Sequence, residues 1–364
     1  MSAAPVTNRP ARLGLVGAGW WSTYTHVPAI LGHPGAVLAG LCDTNAERLQ
    51  AAAQAYGLTA TYPSLTAMLA EAALDGVVIA TPHATHAAVA QACLERGLHV
   101  MLEKPMTLFA ADARRLVELA QAQQRELIIG YPWHYTAQPQ AARAVMQSGV
   151  LGPVQYVNCS MASNVSGFLR GEDRGLPDAS LYPVHGPGAV YSDPALSGGG
   201  QGHLQLTHSV GLMSFVTGLR VERVLALMAN HGLALDLVDA MAVAFEGGAL
   251  GTVGGTGNSP SHKLDLVVRC AHGGLDLSVD HQTLTVYYPD GRVETTGPLP
   301  PPAVEPRFAT ARNLIDVCLR LAPNLSPAEP AWCTVEVIAE VSIASSDPPL
   351  RCRAVHSPGG GGRR

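Results

Sequence analysis

Short apolar runs alternate with helix-forming stretches through the first third of the chain. The runs ARLGLV (11–16), AVLAGLCD (36–43), GVVIATP (76–82), HVMLEKP (99–105) and ELIIGY (126–131) are apolar along most of their length. Between them, NAERLQAAAQAYG (45–57) and residues 84–96 are rich in helix formers. Strands without a polar face belong in a sheet covered on both sides, and their alternation with helices predicts a parallel one. From Pro153 the pattern changes to strands with few helices between them, among them PVQYVNCSMA, VDAMAVAFEG, ALGTVGGTG and HKLDLVVRCA. That pattern predicts a second, mainly antiparallel sheet. A long excursion at 163–197 interrupts it, and GGGQGHLQLTHSVGLMSFVTG (198–218) reads as a helix.

A length of 364 residues fits two domains. The expected division is a flexible N-terminus at 1–10, a parallel α/β domain at 11–130, an α+β domain at 131–345 and a tail at 346–364 that is disordered at its end. Charged residues make up 14% of the chain and the net charge of -5 is spread without long runs, so no nucleic-acid partner is expected. No apolar run approaches the roughly 18 residues of a membrane span. The first residues also lack the apolar segment of a signal peptide, so the expectation is a cytoplasmic protein with no membrane partner. Seven cysteines are scattered and never form C-x-x-C, and no cluster has metal-ligand spacing, so neither a disulfide framework nor a metal is expected.

Candidate chemistry begins at GAGWWS (17–22), between the first strand and a helical pattern. Gly17 and Gly19 let the backbone turn tightly and approach a pyrophosphate at a helix N-terminus. Ser22 takes the third position of the G-x-G-x-x-S pattern. Asp43 ends the second strand, near the spacing at which an acid accepts both ribose hydroxyls. It would repel a 2′-phosphate, and the next arginine is Arg48, which favours NAD over NADP. Asp43-Thr44-Asn45 reads equally as a helix cap, which would account for Asp43 but not for the glycines.

Glu103-Lys104-Pro105 closes the fourth apolar run, and taken alone the charged pair reads as a solvated strand end. Taken with G-x-G-x-x-S, CDTNAER, ATPHATHAAVAQACLERGLHVMLEKPMT and the later GGG-to-His segment, it resembles the glucose-fructose oxidoreductase, inositol dehydrogenase and MocA family, from about Arg12 to about Ser345. The resemblance implies an α/β fold with an N-terminal Rossmann dinucleotide-binding domain. It also implies a C-terminal α+β domain with a large, mainly antiparallel open sheet against which the substrate lies. NAD is the implied cofactor, at Gly17, Gly19, Trp20, Trp21, Asp43, Thr81, Pro82, His86, Glu103 and Lys104. Lys104 would point from a strand end into the cleft between nicotinamide and substrate.

In that family a helix comparable to 198–218 carries a proton-transferring histidine, usually with an aspartate four residues before it. Here His208 takes the histidine position and Leu204 the aspartate position. Gln201, Gln205 and His208 fall at i, i+4 and i+7, so they form either a polar stripe toward substrate or a buried helix contact. By resemblance, Lys104 and His208 are the catalytic candidates, and Tyr131, His134, Gln205 and His208 the substrate-binding ones. His185, in YPVHGPG, resembles over a short span a stretch of the family's NAD-dependent glycosidases and reads equally as a loop histidine. The implied activity is hydride transfer between a nicotinamide and a carbinol of a sugar, sugar derivative or cyclitol. Glycoside cleavage through transient oxidation and a non-catalytic sugar or NAD sensor are the alternatives. An exposed sheet face implies a homodimer or homotetramer.

Overall fold

The computed structural model describes residues 9–172, 183–184, 186–298, 304–343 and 354–356. Among the described residues the strands form two sheets. The first contains β1 (Ala11–Val16), β2 (Ala36–Cys42), β3 (Thr61–Tyr62), β4 (Gly76–Ile79), β5 (His99–Leu102) and β6 (Leu127–Ile129). Their order is β3-β2-β1-β4-β5-β6 and every pair is parallel. The order reverses between β1 and β4, which opens a crevice at the carboxyl ends of those strands, where sheets of this kind bind ligands.

The helices are α1 (Val27–Leu31), α2 (Ala46–Tyr56), α3 (Leu65–Glu71), α4 (His86–Glu95), α5 (Ala110–Ala122), α6 (Ala137–Gln147), α7 (Ser166–Leu169), α8 (Pro194–Ser197), α9 (Thr207–Thr217), α10 (Pro306–Leu319) and α11 (Ala328–Ile343). α2 starts where the Asn45 side chain takes the Arg48 N–H, and it ends at Gly57 in the left-handed region. Two helices begin with a π-helical turn, 22–26 before α1 and 202–206 before α9.

Both faces of the first sheet are apolar because both are covered. On one face Leu13, Leu15, Val78 and Met101 pack with Ile30 and with Leu314 and Ile315 of α10. On the other, Val77, Ile79 and Leu102 pack with Leu94, Leu116 and Val335 of α11. Two helices near the end of the chain therefore complete the first sheet's core, although the expected division assigns residues 131–345 to the second domain. Linear order does not reveal which sheet a late helix covers.

The second sheet contains β7 (Val154–Asn164), β8 (Val221–Ala229), β9 (Val238–Phe245), β10 (Leu250–Thr256), β11 (Asn258–Cys270), β12 (Gly274–Ser278), β13 (Thr283–Tyr287), β14 (Val293–Thr296) and β15 (Ala354–His356). Their order is β14-β13-β12-β11-β7-β10-β9-β8-β15, antiparallel except where β7 meets β10. One face packs Val157, Cys159, Val253 and Leu266 on Val210 and Met213 of α9, while Tyr156, Leu225 and Leu227 stay exposed on the strands. No helix among the described residues is long and apolar enough to cross a membrane.

β7 and β10 approach closely at Gly255, where a Cβ would lie 2.0 Å from the Met161 carbonyl oxygen. Backbone cannot swing aside as a side chain can, so Gly255→Ala should cost about 1–3 kcal/mol by overpacking. Urea unfolding of the variant measures it, and an unchanged midpoint would refute the close approach.

Candidate active site

A cavity of about 550 Å³ runs from the glycine turn after β1 to the π-helical turn before α9, and both domains line it. Its size suits a small-molecule site. Gly17 has φ +97°, and a Cβ there would lie 2.3 Å from the Ala80 carbonyl oxygen, so only glycine can make this turn. A Cβ on Gly19 would meet nothing within 4 Å, which leaves bare backbone facing open space. This cradle, at the start of a helix whose first turn is closed by the Thr23 N–H on the Gly19 carbonyl (3.0 Å), fits a pyrophosphate.

Asp43 lines the cavity, while the cap of α2 is Asn45, so the Asp43 carboxylate braces the turn before that helix. Oδ2 takes the Ala18 N–H at 2.8 Å and Oδ1 takes the Asn45 N–H at 2.7 Å, which ties the glycine turn to the start of α2. Each oxygen keeps a further lone pair for a ribose hydroxyl. The Arg48 guanidinium is 3.9 Å from Oδ1.

The Glu103-Lys104 pair is not a solvated strand end. Glu103 is buried, and its Oε1 receives the Trp21 indole N–H at 3.0 Å and meets His26 Nε2 at 3.0 Å. Burial alone would raise its pKa, but the contacts with His26, Lys104 and Trp21 hold it below the usual carboxylate range. Lys104 donates from Nζ to the Leu204 carbonyl at 3.0 Å, across the cavity and between the domains. Burial lowers its pKa and Glu103 opposes that shift. The Lys104-Pro105 peptide is cis.

Thr81 and Pro82 line the cavity beside Trp20 and Trp21. His86 also lines the cavity and braces this wall, with Nδ1 at 2.8 Å from the Pro105 carbonyl and Nε2 at 3.0 Å from the Thr81 carbonyl. A neutral ring donates to only one of them at a time. Burial lowers the His86 pKa.

Gln205 and His208 line the opposite wall, but Gln201 does not join them. Gln201 is fully buried, and its amide oxygen faces Gly257, where a Cβ would come within 2.8 Å of it. The expected three-residue stripe is thus a pair. Leu204, 4% exposed, packs with Val165, Leu169, Leu235 and Leu237, so the position that carries aspartate in the resembled family is apolar in its surroundings as well as its side chain. His208 Nδ1 is shut off from solvent without a hydrogen-bond partner, which leaves Nε2 as the nitrogen able to meet a ligand. Burial and the nearby Lys104 hold the His208 pKa well below the usual imidazole value.

Two expected substrate contacts are corrected by the geometry. Tyr131 is 1% exposed with its hydroxyl on Thr207 Oγ1 at 2.9 Å, and it meets the His208 ring edge-on at 5.9 Å, so it supports α9 from within the core. His134 is 2% exposed, hydrogen-bonded to Ser326 Oγ at 2.9 Å and stacked on Phe215 at 4.0 Å. Gly130, Pro132 and Trp133 of the same segment face the cavity instead. The sequence reading also missed Phe168, Tyr191 and Arg307 in the lining. Only their polar or aromatic character signalled them, since the excursion and α10 reach the site through tertiary packing. His185 lies outside the described residues, and among those described no group of His, Cys, Asp and Glu could hold a metal ion.

Burial pulls the His134 pKa down to about 3. Between pH 6.5 and that value the unfolded chain binds a proton that the folded protein refuses, so stability falls as pH falls through this window. His134→Phe keeps an aromatic ring on Phe215 and should reduce the slope of unfolding free energy by about 1.4 kcal/mol per pH unit. Urea titrations between pH 6 and 4 measure it, and an unchanged slope would show that His134 is protonated in the folded protein.

A model described as the oxidoreductase family with an NAD-binding Rossmann fold matches residues 11–131, and that family's C-terminal domain model matches 140–276. D-apiose dehydrogenase of Paraburkholderia graminis is 31% identical over 152 residues, which are 42% of this chain and 40% of that protein. Inositol 2-dehydrogenase 4 of Saccharopolyspora erythraea is 30% identical over 157 residues, 43% of this chain and 46% of that one. The chain thus spans less than half the length of these relatives. The crystal structure of GenD2 from gentamicin A biosynthesis, in complex with NAD, superposes with a TM-score of 0.74 at 18% identity and 99% coverage of both chains, a likeness of fold. Since models for the two domains of one family match in order along it, the chain belongs to the Gfo/Idh/MocA oxidoreductase family.

Proposed function

We propose that this protein is an NAD-dependent oxidoreductase acting on a carbinol of a sugar, sugar derivative or cyclitol. The observation that carries the reading is a single cavity that holds Gly17, Gly19 and Asp43 at one end and Lys104, Gln205 and His208 at the other. Named relatives act on D-apiose and inositol, which supports the substrate class. When bound, the nicotinamide supplies the hydride acceptor. Gly17 and Gly19 give the pyrophosphate its cradle, and Asp43 takes the ribose hydroxyls that a 2′-phosphate would displace.

On the substrate side, His208 Nε2 takes the hydroxyl proton. The Lys104 ammonium, anchored on the Leu204 carbonyl, donates a charged hydrogen bond to the same oxygen as negative charge develops. Gln205 holds a neighbouring hydroxyl through its amide. The unpartnered Nδ1 gives no help in fixing the tautomer that frees Nε2, so His208 is a weak base and the lysine carries more of the stabilisation. A homodimer or homotetramer would form through the exposed sheet face around Leu225 and Leu227.

Oxidation by this route should rise with pH only while the imidazolium is lost. With the His208 pKa held below the usual value, the rate should already be flat at pH 7. His208→Ala should remove the acid limb and lower kcat by about 10²- to 10⁴-fold. Lys104→Met should still bind NADH while kcat falls about a hundredfold or more. A screen of sugars and cyclitols with NAD, followed by absorbance of the reduced nicotinamide, supplies the assay. Tight ligand binding without any reduction of NAD would favour a sensor, and a His208→Ala enzyme with the original rate and pH profile would remove His208 from the reaction.

A further inference from the structure

The turn that feeds the helix of Gln205 and His208 is held from behind by an acid. Asp236 accepts the Gly200 N–H on Oδ1 and the Gly202 N–H on Oδ2, both at 2.7 Å. Its backbone carbonyl accepts the Gln201 N–H at 2.9 Å. The fit is close, because a Cβ on Gly200 would lie 2.1 Å from that carbonyl oxygen. Asp239, the second residue of β9, is another buried acid, in side-chain hydrogen-bond contact with Asp236. Asp236 is 5% exposed and Asp239 1%. Both Asp239 oxygens are sealed from solvent, and no N–H or hydroxyl of the described residues serves them.

Two carboxylates in contact and out of water cannot both ionise. Asp236 is the one that receives two backbone N–H bonds, which favour its anion. The proton therefore belongs on Asp239, where it turns an unserved acceptor into a donor toward Asp236.

We propose that Asp239 is a neutral carboxylic acid that donates its proton to Asp236, and that this pair is a positioning element for the 200–202 turn. Through the turn it sets the Leu204 carbonyl that anchors Lys104, and then Gln205 and His208. Among the described residues, the other titratable group beside Asp236 is His203, on the same turn, whose pKa burial lowers to about 4. His203 is neutral at pH 7, so the pair carries one negative charge. Burial and Asp236 raise the pKa of Asp239 well above the usual carboxylate range. Loss of its proton as pH rises puts a second negative charge beside Asp236, and the turn loosens.

The test needs neither cofactor nor sugar, so its outcome is separate from that of the proposed activity. At neutral pH the infrared spectrum of the unmutated protein should retain the carbonyl band of a protonated carboxyl, and Asp239→Asn should delete it. Amide hydrogen exchange of peptides covering 198–206 should run about tenfold faster in Asp239→Ala, the effect of roughly one lost hydrogen bond. Asp239→Asn still offers an N–H donor, so it should restore protection and keep it as pH rises, while the unmutated protein loses it once Asp239 ionises. If Asp239→Ala does not fold, the infrared titration of the unmutated protein decides alone. Absence of the protonated band at neutral pH, or unchanged exchange in Asp239→Ala, would overturn the proposal.

Discussion

One hydrogen bond, from the Lys104 ammonium to the Leu204 carbonyl, joins the two halves of the molecule across the cavity. A buried cation without a partner is too costly to keep, so the lysine at the end of β5 dictates that an oxygen must meet it. The oxygen comes from a π-helical turn a hundred residues later, a local distortion frequent at functional sites. The arrangement uses one N–H of the ammonium and leaves the others for a ligand. It also fixes where α9 begins, and hence where Gln205 and His208 face.

The same turn explains how the site tolerates Leu204. An aspartate side chain here would lie among Val165, Leu169, Leu235 and Leu237, where a carboxylate would need partners that the cluster does not offer. Leucine fills the cluster, and only its backbone carbonyl takes part in the polar network. The consequence falls on His208, whose Nδ1 has no acceptor and whose ring is kept neutral by burial and by the nearby lysine. On the N-terminal side the polar network is fuller, with Trp21, His26 and Glu103 linked behind the glycine turn.

Local pattern made the first sheet legible. Apolar strands, the glycine turn and Asp43 are all short-range signals, and their order along the chain fixes the crevice. Within Asp43-Thr44-Asn45 the cap is Asn45, and the two backbone contacts of Asp43 brace the turns on either side while leaving lone pairs for a ribose. Where the reading failed, side-chain direction was at issue. Tyr131 caps a short 3-10 segment that holds Pro132, Trp133 and His134, and a tightly wound turn sends neighbours to opposite sides, some to the cavity and some to the core. Gln201 shows the same limit at the other wall, since helical spacing identifies a shared face but not that its first member lies in a buried turn. The return of α10 and α11 onto the first sheet is a tertiary event with no local signature.

The proposed chemistry needs one oxygen atom of the substrate to be shared by Lys104 and His208. A crystal structure of the protein with NADH and a sugar or cyclitol that it oxidises tests this directly. The reacting hydroxyl should lie about 3 Å from both Lys104 Nζ and His208 Nε2, with the carbinol carbon facing the nicotinamide ring. A substrate oriented on other groups, with His208 directed away from the reacting carbon, would contradict it.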